Sequence, residues 1–140
     1  MTIPFNKPLI TGKEFESLNY IIQQGKKFSG DGEFRHKCHT FLENFTKCSK
    51  ALLTTSCTHA LEMAALLIDT SPGDEIIMPS FTFVSSANPF VLRKAKVKFV
   101  DVDPVTMNID VSMVERAITT KTKAIVAVHY GGIACDMAAL

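Results

Sequence analysis

Apolar residues recur at helical spacing over the first third of this chain and in short unbroken runs after it. Phe15, Leu18, Ile21 and Ile22 share one face of a helix predicted from Thr11 or Gly12 to about Gln24, closed by Gly25. Lys26 to Gly32 reads as a loop with two glycines around Asp31. A second helix is predicted from about Glu33 to Phe45, with Phe34, Cys38, Phe41, Leu42 and Phe45 in register. From residue 50 the pattern changes to apolar runs that alternate with helical stretches. The predicted units are a strand Ala51–Leu53 with a helix Ala60–Ile68, and a strand Glu75–Met78 with a helix from about Thr82 to Arg93. A strand Val97–Val102 follows with a helix Val111–Ile118 capped by Asp110, then a strand Ala124–His129 running into Gly131-Gly132. Continuous apolar strands between helices predict an α/β fold, a mostly parallel sheet flanked by helices.

At 140 residues, 46% hydrophobic and 21% charged, the composition is that of a globular domain and excludes disorder. A net charge of +1 lends no support to binding of nucleic acid or an anionic membrane. No apolar run approaches the length of a bilayer span, and the N-terminal residues lack a signal peptide's apolar core. Cys38, Cys48, Cys57 and Cys135 are irregularly spaced, so free thiols and a cytoplasmic location are expected. His36 and His39 share a helix face while Cys38 points elsewhere, which predicts a solvated helix with one buried thiol and no metal site.

The junction near Thr54 to His59 carries the most chemistry. Small hydroxyl residues before a helix leave backbone N–H groups free, and with the helix dipole these can seat a phosphate. Thr58 as an ordinary N-cap accounts for the same residues without a ligand. Asp101 and Asp103 close a strand, where Asp103-Pro104 reads as a turn starter and neither carboxylate is assigned a catalytic role.

Several segments in order resemble one family. They are Ile3-Pro-Phe-Asn, Thr55-Ser-Cys-Thr-His-Ala-Leu-Glu-Met-Ala, Pro72-Gly-Asp-Glu-Ile-Ile-Met-Pro-Ser-Phe-Thr-Phe-Val-Ser, Phe99-Val-Asp-Val-Asp, Met107-Asn-Ile-Asp and Val128-His-Tyr-Gly-Gly. Together the chain resembles the DegT/DnrJ/EryC1/StrS sugar aminotransferases, which use pyridoxal 5'-phosphate (PLP) on a fold-type-I scaffold. Within them it is most similar to the TDP-4-amino-4,6-dideoxygalactose transaminases, which move an amino group from glutamate to a TDP-4-keto-6-deoxy sugar for enterobacterial common antigen and related surface glycans such as lipopolysaccharide. The resemblance implies the N-terminal part of the fold-type-I large domain. It describes one partial domain over residues 1–140, with helices at about 12–45 and strand–helix units at about 50–140, cut before the catalytic half. The Schiff-base lysine and the aspartate that pairs with the pyridinium nitrogen come later in the family, so no catalytic residue is expected here and the isolated chain is expected to be inactive.

The resemblance further places Cys57, Thr58 and His59 at the cofactor phosphate through their amides, although the family more often has a small residue at the position of His59. It sets Phe83 against the face of the pyridoxal ring, where a core phenylalanine beside Val84, Ala87 and Val91 is the plainer alternative. It has His129 and Tyr130 lining the cofactor or substrate cleft, where a strand-end histidine bonded to backbone would serve equally. Ser29-Gly-Asp-Gly32 matches a loop near the active site or the dimer partner, or is simply a helix–helix connection. A homodimer with interfacial sites is implied, with a nucleotide sugar and glutamate as substrates. Two other functions fit the fold: a nucleotide-binding domain, against which no Gly-x-Gly-x-x-Gly or Walker A run follows a strand, and a non-catalytic interaction domain.

Overall fold

A computed structural model describes residues 3–4, 6–25 and 30–140. Phe5 of the Ile3–Asn6 motif and Lys26–Ser29 of the glycine loop lie outside the described residues. The chain divides into two compact units, residues 1–53 and 54–140.

The first unit holds α1 (Glu14–Gln23) and α2 (Glu33–Thr46). α1 starts two residues later than Gly12 because the Glu14 carboxylate folds back over the preceding turn. It accepts from the amides of Thr11 and Gly12, both at 2.8 Å, and these bonds hold its pKa down at about 2. The apolar stripes are formed but none of α1 is buried, and Phe41 and Phe45 of α2 stack on each other at 5.9 Å while remaining exposed.

Two expectations fail in this unit. Cys38 is exposed, and His39 is the buried side chain of α2. The cause is a bond that periodicity does not encode: His39 Nε2 accepts the amide of Leu53 at 3.1 Å. Ala51–Leu53 is correspondingly not a strand. The amide of Ala51 donates to Glu43 Oε1 at 3.1 Å, so side chains of α2 take the bonds that a neighbouring strand would have supplied.

The second unit is a parallel sheet with helices on both faces. α3 (Cys57–Leu67) precedes β1 (Glu75–Pro79), followed by α4 (Asn88–Leu92), β2 (Lys96–Val100), α5 (Val111–Ala117) and β3 (Thr122–Ile125). The strand order is β2-β1-β3, all parallel, with Ile77 opposite Lys98 on one side and Ile125 on the other. β1 is therefore central and buried throughout, which is why it reads as an unbroken apolar run. Its alternation divides the core. Ile76 and Met78 pack with Ala65 of α3, Phe90 of α4 and Ala95, while Ile77 packs with Val100, Ile109, Val114 of α5 and Cys135.

The other boundaries move for local reasons. The helix expected from Thr82 to Arg93 breaks into a single 3₁₀ turn, Val84–Ser86, and α4, because Pro89 lacks the N–H that a continuous helix needs there. β2 stops at Val100, and Val102 instead bridges Ile109 in antiparallel fashion. β3 is shorter than Ala124–His129, although the amide of Val126 still reaches Ile77 O at 2.8 Å. Asp110 caps α5 as its sequence predicts, accepting from the amide of Ser112 at 2.9 Å.

An ion pair ties β1 to β2. Lys98 Nζ lies 2.7 Å from Glu75 Oε2, and Thr119 Oγ1 donates to the same oxygen at 2.6 Å. Lys98 first and Thr119 second hold the Glu75 carboxyl below its ordinary value. A depressed pKa contributes stability that is present above the ordinary carboxylate value and is lost as pH falls through the folded one. The urea midpoint is therefore expected to fall between about pH 6 and about pH 3. Glu75→Gln should remove part of that acid dependence, and equal slopes for both proteins would contradict this role.

Candidate functional site

The start of α3 is set by Ser56. Its backbone is extended (φ −160, ψ 163), its Oγ accepts the amide of His59 at 3.2 Å, and its carbonyl accepts that of Ala60 at 3.1 Å. The helix thus begins at Cys57, three residues before Ala60, and its cap is Ser56 and not Thr58. The first turn of a helix has N–H groups with no internal acceptor. Here the His59 amide is committed to the cap, while those of Cys57 and Thr58 have no acceptor among the described residues. The His59 ring is drawn back to Thr55, with Nδ1 2.5 Å from Oγ1. Two amides, not three, are available for an anion.

These amides open beside a cavity of about 580 Å³, within the usual range for a small-molecule site. α3 contributes Cys57, Thr58 and Leu61. The segment leaving the C-terminal end of β1 contributes Phe81 and Phe83, with the hydroxyls of Thr82 and Ser86 bonded to each other at 2.7 Å. Tyr130, beyond β3, closes another side, its ring meeting that of Phe81 edge-on at 4.9 Å. The position beyond strand ends is where open α/β sheets accept ligands. Phe83 is 74% exposed on extended backbone (φ −77, ψ 148), so it is not a core residue. No lysine or arginine is among the described residues lining this cavity.

Four of the six residues singled out in the sequence therefore come together: Cys57, Thr58, Phe83 and Tyr130. His59 and His129 are not among the lining residues. His129 Nδ1 accepts the amide of Cys135 at 3.0 Å, so its ring serves the backbone of the turn that follows. Asp103 is a turn starter as its sequence predicts. It accepts from Thr106 (amide 2.7 Å, hydroxyl 3.0 Å) and from the Val105 amide, and the Thr106 bonds chiefly hold its pKa below the ordinary range. The Asp101 carboxylate accepts from Ser80 Oγ at 3.4 Å, and its carbonyl accepts the amide of Asp110 at 3.1 Å. Among the described residues no group of three or more His, Cys, Asp or Glu is placed to hold a metal, and no helix is long and apolar enough to cross a membrane.

Against known proteins, the family model described as the DegT/DnrJ/EryC1/StrS aminotransferase family matches residues 8–140. The chain belongs to this family. It is 36% identical over 141 residues to the spore coat polysaccharide biosynthesis protein SpsC of Bacillus subtilis, covering 99% of this chain and 35% of that protein. Among solved structures it is similar to Spr1654 of Streptococcus pneumoniae in its PLP-form (31% identity, TM-score 0.87, 99% of this chain and 35% of that one). A second is 3-amino-5-hydroxybenzoic acid synthase (34% identity, TM-score 0.86, 94% and 34%). This DegT/DnrJ/EryC1/StrS chain thus spans about a third of the length of the relatives it matches. Its α/β architecture is that of PLP-dependent aminotransferases, and structural relatives bind PLP.

Sequence reasoning missed Ser56, Phe81, Ser86 and Asn108. Ser56 and Thr58 are both favoured N-cap types, so residue type alone left the choice between them open. Phe81 is two residues from Phe83 on the same short segment. Asn108 had no local signal, because both partners of its side chain lie more than twenty residues away.

Proposed function

We propose that this chain forms the phosphate seat and the aromatic walls of a PLP site in an aminotransferase that passes an amino group from glutamate to a nucleotide-linked keto sugar. The observation that carries the reading is the meeting, in one cavity, of two unengaged amides at a helix start with Phe81, Phe83 and Tyr130. The fit is physical. Amides and the positive end of α3 would bind the dianion, and aromatic faces would shield a flat electron-poor ring from water. Bound PLP supplies an electron sink for transfer of the amino group. The chain's part is to bind and orient: Cys57 and Thr58 through their N–H groups, Phe83 through its ring, and Tyr130 as a wall of the cleft. His59 is assigned to the helix cap, with its amide on Ser56 and its ring on Thr55, and His129 to holding the turn that carries Tyr130.

The relative SpsC supports a polysaccharide precursor as acceptor, and a TDP-4-keto-6-deoxy sugar is the acceptor we assign. Among the described residues no lysine lines the cavity, so these 140 residues are expected to bind cofactor without turning over alone, and a homodimer is the assembly proposed for the whole enzyme. In an absorbance titration, PLP is expected to bind at least about tenfold tighter than unphosphorylated pyridoxal, the worth of a charge-assisted bond. Equal binding of the two, or saturable binding of a dinucleotide with none of PLP, would overturn the reading.

A further inference from the structure

Resting on that reading of the cavity, we infer that Asn108 is the positioning residue that fixes its Tyr130 wall. Asn108 is 5% exposed, and both ends of its side-chain amide are used. Oδ1 accepts the amide of Tyr130 at 2.9 Å, and Nδ2 donates to the carbonyl of Ile133 at 3.1 Å. Its own backbone is held in turn: the amide donates to Thr106 Oγ1 at 3.3 Å, and the carbonyl accepts from Asp103 at 2.8 Å. The bracket matters because of what lies between its jaws. Gly131 and Gly132 both have positive φ (59 and 84), and an added Cβ at either would meet nothing within 4 Å, so neighbouring atoms do not confine them. The turn is therefore free to take other shapes unless its ends are tied. Asn108 ties both ends, at the Tyr130 amide and the Ile133 carbonyl, and His129 holds the Cys135 amide just beyond them. The Asn108 bond holds the amide of the residue whose ring meets Phe81, while the carbonyl of that residue accepts from the Ile133 amide at 3.0 Å.

Asn offers a carbonyl acceptor and an NH2 donor side by side on one short amide, and Gln adds a methylene that a closely packed buried site resists. Asn108→Asp keeps the size and the acceptor for Tyr130 but sets a carboxylate against the Ile133 carbonyl. Asn108→Ala removes both bonds.

The test uses the natural scarcity of fluorophores. The chain has no Trp and two Tyr, so a Tyr20→Phe background leaves Tyr130 as its one tyrosine. In that background, acrylamide quenching of Tyr130 reports the wall without any cofactor. Quenching is expected to shift toward the unfolded-chain value in Asn108→Ala, and PLP affinity to fall about tenfold, the loss of one buried hydrogen bond. Ala65→Gly, which loosens the opposite layer, is the control for general destabilisation and should leave the quenching at the parent value. If Asn108→Ala does not fold, Asn108→Asp carries the test with the same expected direction. Unchanged Tyr130 quenching in a folded variant would overturn the inference, as would a shift equal to that of Ala65→Gly, or a shifted quench with unchanged PLP affinity. Should the parent protein itself fail to bind PLP, the cofactor reading falls, and the quenching result alone decides whether Asn108 holds the wall.

Discussion

Ile77→Ala is expected to lower stability by about 2–5 kcal/mol, a large share of a domain's total of about 5–15 kcal/mol. Ile77 is fully buried on the central strand, and its side chain packs with Val100, Ile109, Val114 and Cys135. Removing three carbons there loses transfer free energy and leaves a void that neighbours from β2 and α5 fill only in part. Val105→Ala is the matched control, because Val105 is 86% exposed and its truncation should stay within about 0.5 kcal/mol. Urea unfolding followed by circular dichroism measures both. An Ile77→Ala midpoint no lower than that of Val105→Ala would mean that the sheet does not carry the second unit's core.

Cys57→Pro is expected to separate anion binding from folding. Cys57 is the first helical residue, its N–H has no acceptor among the described residues, and the preceding Ser56 is already extended. Proline is favoured at that position, and its own restriction on the residue before it is met in advance. Stability should therefore hold or rise by a few tenths of a kcal/mol, since proline restricts the unfolded chain. One of the two free amides is gone, however, so PLP should bind about 10- to 100-fold more weakly, with pyridoxal nearly unaffected. Cys57→Ala keeps the amide and should bind like the parent. Equal PLP affinity in the proline and alanine variants would remove Cys57 from the phosphate seat.

The second unit was largely legible in sequence because its strands are buried on both faces and its turns carry strong residues. The strand expected at Glu75–Met78, found as Glu75–Pro79, and the Asp110 cap each follow from local chemistry. The first unit was less so. Helical spacing placed α1 and α2 within two residues, yet it could not say which side chains are buried, since His39 is covered by a bond to Leu53 and not by its own face. The same limit explains Ala51–Leu53, whose apolar side chains read as a strand while its amides are claimed by α2. At the candidate site, residue types pointed to the helix start at Cys57 and Thr58 and to Phe83, which line one cavity. They could not give the division of labour among amides, because Ser56 and Thr58 are both good caps and only geometry chooses.

The two lysines of β2 bear on how the sheet meets other polypeptide. β2 and β3 are the outer strands of the described sheet, so each has a flank of main-chain groups that no strand pairs. Such flanks invite association between molecules unless charge discourages it. Lys96 and Lys98 put two ammonium groups on β2, one of them already anchored to Glu75, and a strand added there would have to dehydrate Lys96. β3 carries Lys123 alone, so its flank is the less guarded side and the one through which this sheet can widen.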